Sequence, residues 1–371
     1  MNCIKKLNKI LFISGDGVND SKNKWPFYYM YFNSFNKNYF ISKALKSIIN
    51  KCEILNFSYL LRHPKLILQL EYESIPGTTM IRLKLLEIIN YFINQIILRK
   101  IKSKFYDYII FSENTYFLNK GLIERIRNIE NTRVILFAGV SPKYYLTTMQ
   151  KKSIPHFDNI FISDPGHEAE WKQYGAKKID VLPLSAGCPN TFQGINSKYN
   201  SKINYDIVFV GRLDGDLNNY RLKILNFLIC NGVDVNIWTW HMSKKYLNKY
   251  PLLKNNVMGS AYGEKMVNIY SEAKIVLNIH NPSVPSGGNM RLFEIPATKS
   301  FQIADKCPKD WFINGDEIVL FKDNKDLLDK VSYYLHDDKE RLRIAHNGYK
   351  RLLKEHTYEH RMKKFLNIVQ G

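Results

Sequence analysis

Gly287-Gly288 is followed at once by Asn289, Arg291 and Glu294. A glycine pair lets backbone approach a ligand closely, and the free N–H groups of a helix start favour an anion. In that setting Arg291 can answer a phosphate and Glu294 a pair of hydroxyls. His280, just upstream, has a side chain suited to acid-base or hydrogen-bond work near neutral pH, and a structural hydrogen bond is the competing reading. Asp16, in Gly15-Asp16-Gly17, is a further candidate for a base, as is Glu168 beside His167. Asp214-x-Asp216 has the spacing of a metal-nucleotide pair, but two acids at that spacing arise often by chance, and a metal role is not expected.

These groups need elements to hold them. Ile275–Ile279 is short, apolar and β-branched, as a buried strand is, and Phe301–Ala304 is similar. The polar loop with two prolines and two glycines between them leads into a helix beginning near Asn289. The same alternation recurs along the chain. Strand-like runs lie at Ile10–Ser14, Cys52–Phe57, Tyr108–Phe111, Val134–Phe137, Asn159–Ser163, Ile179–Pro183, Ile207–Val210, Val233–Trp238 and Glu317–Phe321. Helices are expected at Lys43–Ile49, Ile81–Lys104, Glu168–Tyr174, Tyr220–Cys230, Tyr262–Glu272, Lys325–Leu335, Lys339–Leu353 and His356–Val369. Alternating strands and helices imply parallel sheets with right-handed crossovers. Pro183–Asn200 carries no apolar period and reads as a connection between two halves. The expected organisation is an α/β domain over residues 1–185, a linker over 186–204, a second α/β domain over 205–355, and a last helix over 356–371 that crosses back to the first.

With 371 residues the chain has enough material for two cores, and 45% hydrophobic content is globular. The net charge is +20, and the first 200 residues carry 28 basic against 15 acidic side chains. Such a balance suits a phosphorylated substrate or an anionic membrane surface, and equally a general compositional bias. The lysines are dispersed and no nucleic-acid-binding module is recognisable, which argues against nucleic acid as a partner. Five scattered cysteines without a C-x-x-C pair argue for a reducing cytoplasm and against a zinc site. Ile10–Ile13 is too short for the apolar part of a secretory signal. The longest apolar stretch, Ile81–Ile101, is interrupted by charges and amides, so a membrane span is not expected; its basic end, Arg99-Lys100, Lys102 and Lys104, could rest on anionic lipid. Trp25–Tyr39 is dense in aromatic residues and reads as core or as a wall for a sugar.

The stretch from Asn278 to Asp305 resembles the donor-site signature of GT-B glycosyltransferases, specifically the CgeB-like branch, where an LN-x-H strand end precedes N-x-R-x-F-E. Phe209-Val210-Gly211, Tyr270–Lys274 and His356-Thr357-Tyr358 with His360-Arg361 agree with it. The resemblance covers roughly residues 205–365. It implies two Rossmann-like, doubly wound parallel-sheet domains facing a cleft, with a nucleotide-sugar held by the second and the acceptor mainly by the first. Glu294 would hold the ribose hydroxyls. Asn289, Arg291, Gly287 and Gly288 would face the diphosphate and sugar, with Arg212 as the phosphate-binding arginine. Trp240 and Tyr262 are candidates to stack the base, within the run Trp238-Thr239-Trp240-His241. Two positions depart from the broader pattern: Ser286 stands where a first carboxylate is usual, and Leu217 where a lysine is, leaving Arg221 or Lys223 as substitutes. The function expected is a metal-independent, retaining transfer from a nucleotide-sugar to a glycan, lipid-linked or protein acceptor, in the cytoplasm or at the inner face of its membrane. Catalytic roles fall to His280, Glu294 and Asp16. The alternative is a non-catalytic nucleotide-sugar or glycan-binding protein of the same shape.

Overall fold

A computed structural model describes residues 9–14, 37–56, 79–113, 115, 118–129, 132–146, 148–196, 203–240 and 242–371. Asp16, Gly17, the aromatic stretch before Lys37, and His241 lie outside the described residues. The chain divides into two compact units, Met1–Leu184 with Met362–Gly371, and Ser185–Arg361.

The first unit is built on six parallel strands, β1 (Ile10–Ser14), β2 (Cys52–Asn56), β3 (Tyr108–Ser112), β4 (Arg133–Ala138), β5 (Asn159–Ile162) and β6 (Ile179–Val181), in the order β2-β1-β3-β4-β5-β6. The strands β1, β3 and β5 are buried throughout, as expected where helices cover both faces of a parallel sheet. The helix Lys120–Arg127 is capped by Asn119, which accepts from the Leu122 N–H, and it lays Leu122, Ile123 and Ile126 into the core. The final residues of the chain complete this core. Phe365 packs edge-on to Phe137 and Phe161 at 5.0 and 5.1 Å, and the Tyr108 hydroxyl donates to the Val369 carbonyl at 3.0 Å. Burying Phe365 contributes about 2 kcal/mol.

The second unit repeats the plan with β7 (Tyr205–Val210), β8 (Val235–Trp238), β9 (Val257–Gly259), β10 (Ala273–Asn278), β11 (Gln302–Ala304) and β12 (Val319–Leu320). All are parallel, in the order β12-β11-β10-β7-β8-β9. Strand β9 has no counterpart among the expected strands. It is three half-exposed residues ending in a positive-φ glycine, so it carries no apolar run. The short helix Lys244–Lys249 was equally silent, being mostly polar. Residues 186–204 also differ from a plain linker: they include the helix Pro189–Asn196. Phe192, 2% exposed, anchors it in the core. Gly187 pairs with Thr357, and a Cβ there would lie 2.6 Å from Leu352.

The chain from Trp311 to Arg361 wraps the helix Arg291–Ala297. Phe293 of that helix packs on Trp311, Phe312 and His356, with the Arg361 guanidinium 5.3 Å from its ring centroid. His356 Nε2 donates to the Trp311 carbonyl at 2.6 Å, while Nδ1 accepts from Arg361 at 2.9 Å. That arrangement needs a neutral ring. Burial, then the Arg361 charge, push the pKa from the ordinary 6.5 to about 4. Arg361 itself is lowered to about 10 by burial. Among the described residues no helix is long and apolar enough to cross a membrane.

The folded pKa of His356 lies below the unfolded one, so between pH 6.5 and 4 the unfolded chain takes the proton first. Stability is full above that window and falls through it, by on the order of 3 kcal/mol from this group. Thermal melts across the window should show the fall. His356→Gln, which can keep both hydrogen bonds, should flatten it; an unchanged slope would assign the loss elsewhere.

Candidate active site

In the second unit the chain runs from β7 outward through β8 and β9, then returns to the other side of β7 as β10. Ligands in such sheets bind beyond the carboxyl ends of the strands at this reversal. The two loops that leave it are Gly211–Asn218 after β7 and Ile279–Met290 after β10.

A single buried side chain joins the loops. Arg221, from the helix Asn219–Cys230, donates Nε to the Ile279 carbonyl at 2.8 Å and Nη1 to the Arg212 carbonyl and to Asn218 Oδ1, both at 3.0 Å. It is 6% exposed. Its guanidinium is engaged with protein acceptors, so Arg221 shapes the crevice and is not a spare phosphate ligand. Arg212 is the opposite case: its side chain is exposed, and among the described residues the guanidinium has no partner. Lys223 is exposed on the same helix as Arg221.

Helix Arg291–Ala297 closes the other side. Arg291 donates Nε to the carbonyl of Val210, the last residue of β7. One turn on, Glu294 is 9% exposed, and among the described residues its carboxylate has no hydrogen bond. Burial raises its pKa, and Arg291 opposes the rise. The Tyr358 phenol beside it is likewise pushed up, by burial and then by the charge of Glu294. A buried carboxylate with open lone pairs is suited to accept two hydroxyls at once.

Asn289 does a different job from the one expected. Its amide donates to Asn278 Oδ1 at 2.7 Å and its oxygen caps the Leu292 N–H at 3.3 Å, so it fastens the helix start to the end of β10. Gly287 is buried. A Cβ on Gly288 would lie 2.2 Å from Leu292 and 2.6 Å from Trp311, so packing behind the loop requires this glycine.

His280, 1% exposed, donates Nδ1–H to Asp305 Oδ1 at 2.6 Å, and its backbone N–H meets the same oxygen at 3.0 Å. Burial lowers its pKa more than Asp305 raises it, so the ring is neutral and Nε2 is a bare, buried acceptor. In the sequence Asp305 stands only as the end of the stretch that begins at Asn278. Next to it, Lys306 reaches the carbonyls of Val284 and Pro285 and holds the proline loop. The position of both, directly after a strand of a doubly wound sheet, was the signal available for them.

At the ends of β8 and β9, Trp240, 41% exposed, meets Tyr262 edge-on at 6.0 Å. Asp214 accepts from the Ser243 N–H, and Asp216 from the Tyr246 hydroxyl at 2.6 Å and Lys245 at 3.1 Å, which lowers its pKa. Both carboxylates therefore tie the β7 loop to the neighbouring helix. Among the described residues no three His, Cys, Asp or Glu side chains converge as a metal site. In the first unit Glu168 lies on the surface paired with Lys172 at 2.6 Å, and His167 is buried.

Residues 223–367 match the family model described as glycosyl transferase-like. The whole chain is similar in structure to HepE of Anabaena, solved with UDP and glucose, at 11% identity and a TM-score of 0.60, covering 98% of this chain and 100% of that one. It is also similar to a glycosyltransferase of Rickettsia africae (13% identity, TM-score 0.58, 98% of each chain) and to the N-terminal domain of trehalose-6-phosphate phosphatase from Candida albicans (13%, 0.61, 100% of this chain and 98% of that one). No curated protein matches the chain in sequence. At these identities the structural likeness establishes the fold, that of the GT-B glycosyltransferases, and over residues 223–367 the chain is similar to the glycosyl transferase-like family.

Proposed function

We propose that the protein transfers a sugar from a nucleotide-sugar to a glycan, lipid-linked or protein acceptor, without a metal ion and with retention of configuration. The observation that carries the donor reading is Glu294, a buried carboxylate with no hydrogen bond among the described residues, one turn after Arg291 at the reversal of the sheet. Ribose hydroxyls supply the donors it lacks. Arg212 supplies a free cation for the diphosphate, and Trp240 with Tyr262 an exposed aromatic corner for the base. HepE, similar in fold, has been solved with UDP-glucose, which supports a nucleotide-sugar of that kind. In the reaction the bond between the anomeric carbon and the diphosphate oxygen breaks with its electron pair going to the diphosphate, an acceptor hydroxyl oxygen bonds to that carbon on the same face, and its proton passes to the departing diphosphate. Arg212, already placed, favours that charge as it develops. His280 Nε2 can accept a hydroxyl of the sugar. Metal independence is supported by the engagement of Asp214 and Asp216 in protein contacts.

A membrane-borne acceptor is supported by the helix Thr79–Ser103. Its inner side puts Ile93, Ile97 and Ile101 in the core. One outer stripe leaves Ile88, Tyr91, Phe92 and Ile96 exposed by 53, 59, 61 and 42%, and Arg99 and Lys102 continue it. Apolar and aromatic residues beside basic ones suit an anionic leaflet.

The Glu294 carboxyl is buried with no hydrogen bond among the described residues and only the Arg291 charge to offset its burial, so Glu294→Gln should raise the melting temperature at neutral pH while weakening UDP binding about tenfold or more, read by calorimetry. Unchanged affinity for UDP, GDP and ADP alike would remove Glu294 from the donor site. Transfer from the matching nucleotide-sugar should persist in a chelator, and loss of turnover there would overturn metal independence. Binding without any turnover would favour a non-catalytic binder. The protein should co-sediment with vesicles containing phosphatidylglycerol and not with pure phosphatidylcholine, and Phe92→Asp should abolish this; equal sedimentation of the variant would refute the membrane face.

A further inference from the structure

The reversal of the first sheet lies between β1 and β3. Ser14 ends β1, Ser112 ends β3, and Glu113 follows directly. Glu113 is 4% exposed and forms an ion pair through Oε1 with Lys37, the first residue of the helix Lys37–Ile48, whose side chain is 12% exposed. The surrounding polar groups bond to one another. Asn38 donates to the Ser14 hydroxyl at 3.2 Å, Ser112 reaches Ser14 and Thr115, and Gln150 donates to the Glu113 and Thr115 carbonyls at 2.8 and 3.3 Å. Oε2 of Glu113 is buried with no hydrogen bond among the described residues.

A buried ion pair is stable only when the remaining lone pairs and protons find partners. Here one carboxylate oxygen has none, and it sits where doubly wound sheets bind ligands. Space is kept for the pair by Gly139, just after β4, where a Cβ would come within 2.5 Å of Lys37 Nζ and 3.0 Å of Glu113 Oε1.

We infer that Lys37 and Glu113 form a hydroxyl-binding site for a neutral sugar, taking two adjacent hydroxyls of the acceptor. One hydroxyl donates to Glu113 Oε2, and the oxygen of its neighbour accepts from Lys37 Nζ. A carboxylate beside an ammonium matches a vicinal diol, which offers both a donor and an acceptor and no charge. A phosphate would set its charge against Glu113. The inference names the acceptor chemistry for the transferase reading above and rests on that reading.

Saturation-transfer NMR with methyl glucoside, methyl galactoside and methyl N-acetylglucosaminide tests it on the full chain, with UDP affinity measured on the same samples. Glu113→Gln should weaken the bound glycoside about tenfold, the loss of one hydrogen bond to a charged group. Gly139→Ala, which displaces the flexible end of Lys37 and crowds Glu113 Oε1, should do the same in a folded protein, and UDP affinity should hold in both. On the wild type, deleting either of one adjacent pair of hydroxyls should abolish binding, and deleting the others should not. A wild type that binds UDP but no glycoside, or variants that bind glycosides as the wild type does, overturns the inference. A wild type that binds a glycoside but no UDP fails the donor reading alone.

Discussion

The crevice at the end of the second sheet depends on the buried guanidinium of Arg221. Two loops leave the carboxyl end of the second sheet from strands that the chain visits far apart, and neither is regular structure. Arg221 takes a carbonyl from each and a side-chain oxygen from Asn218, so their separation is set by one planar group with fixed donor directions. Without it, buried carbonyls would stand unpaired at about 1–3 kcal/mol each. Arg291 adds a second tie from the helix to Val210. The residues free to meet a ligand, Arg212 and Glu294, are held by neighbours that are not.

Both units also keep one carboxylate in a state that folding alone does not favour. Glu294 is buried without a hydrogen bond, and Glu113 has half its carboxylate satisfied. Each sits at the reversal of its own sheet.

Much of this architecture was legible in the residues. Runs such as Ile207–Val210 and Ile109–Phe111 are buried on both faces, so an unbroken apolar segment announces them, while β9 and the helix Lys244–Lys249 carry no such run. At the site, residue type and spacing identified Glu294, Arg291 and the Trp240–Tyr262 corner. What they could not convey was how each polar group is used. Asn289 and Arg221 have the chemistry of phosphate ligands, yet Asn278, Ile279 and Arg212 claim them through contacts that exist only after folding. Asp305 gains its meaning from His280, 25 positions earlier, for the same reason.

The glycine at 288 has a consequence for how such a loop changes over evolutionary time. Its missing side chain is filled by Trp311 and Leu292, which pack against the loop. Positions 288 and 311 are therefore a coupled pair, in which a larger residue at one is tolerated only with a smaller one at the other. Invariance of that glycine among relatives would record the history of an indole ring and its neighbours before that of any ligand.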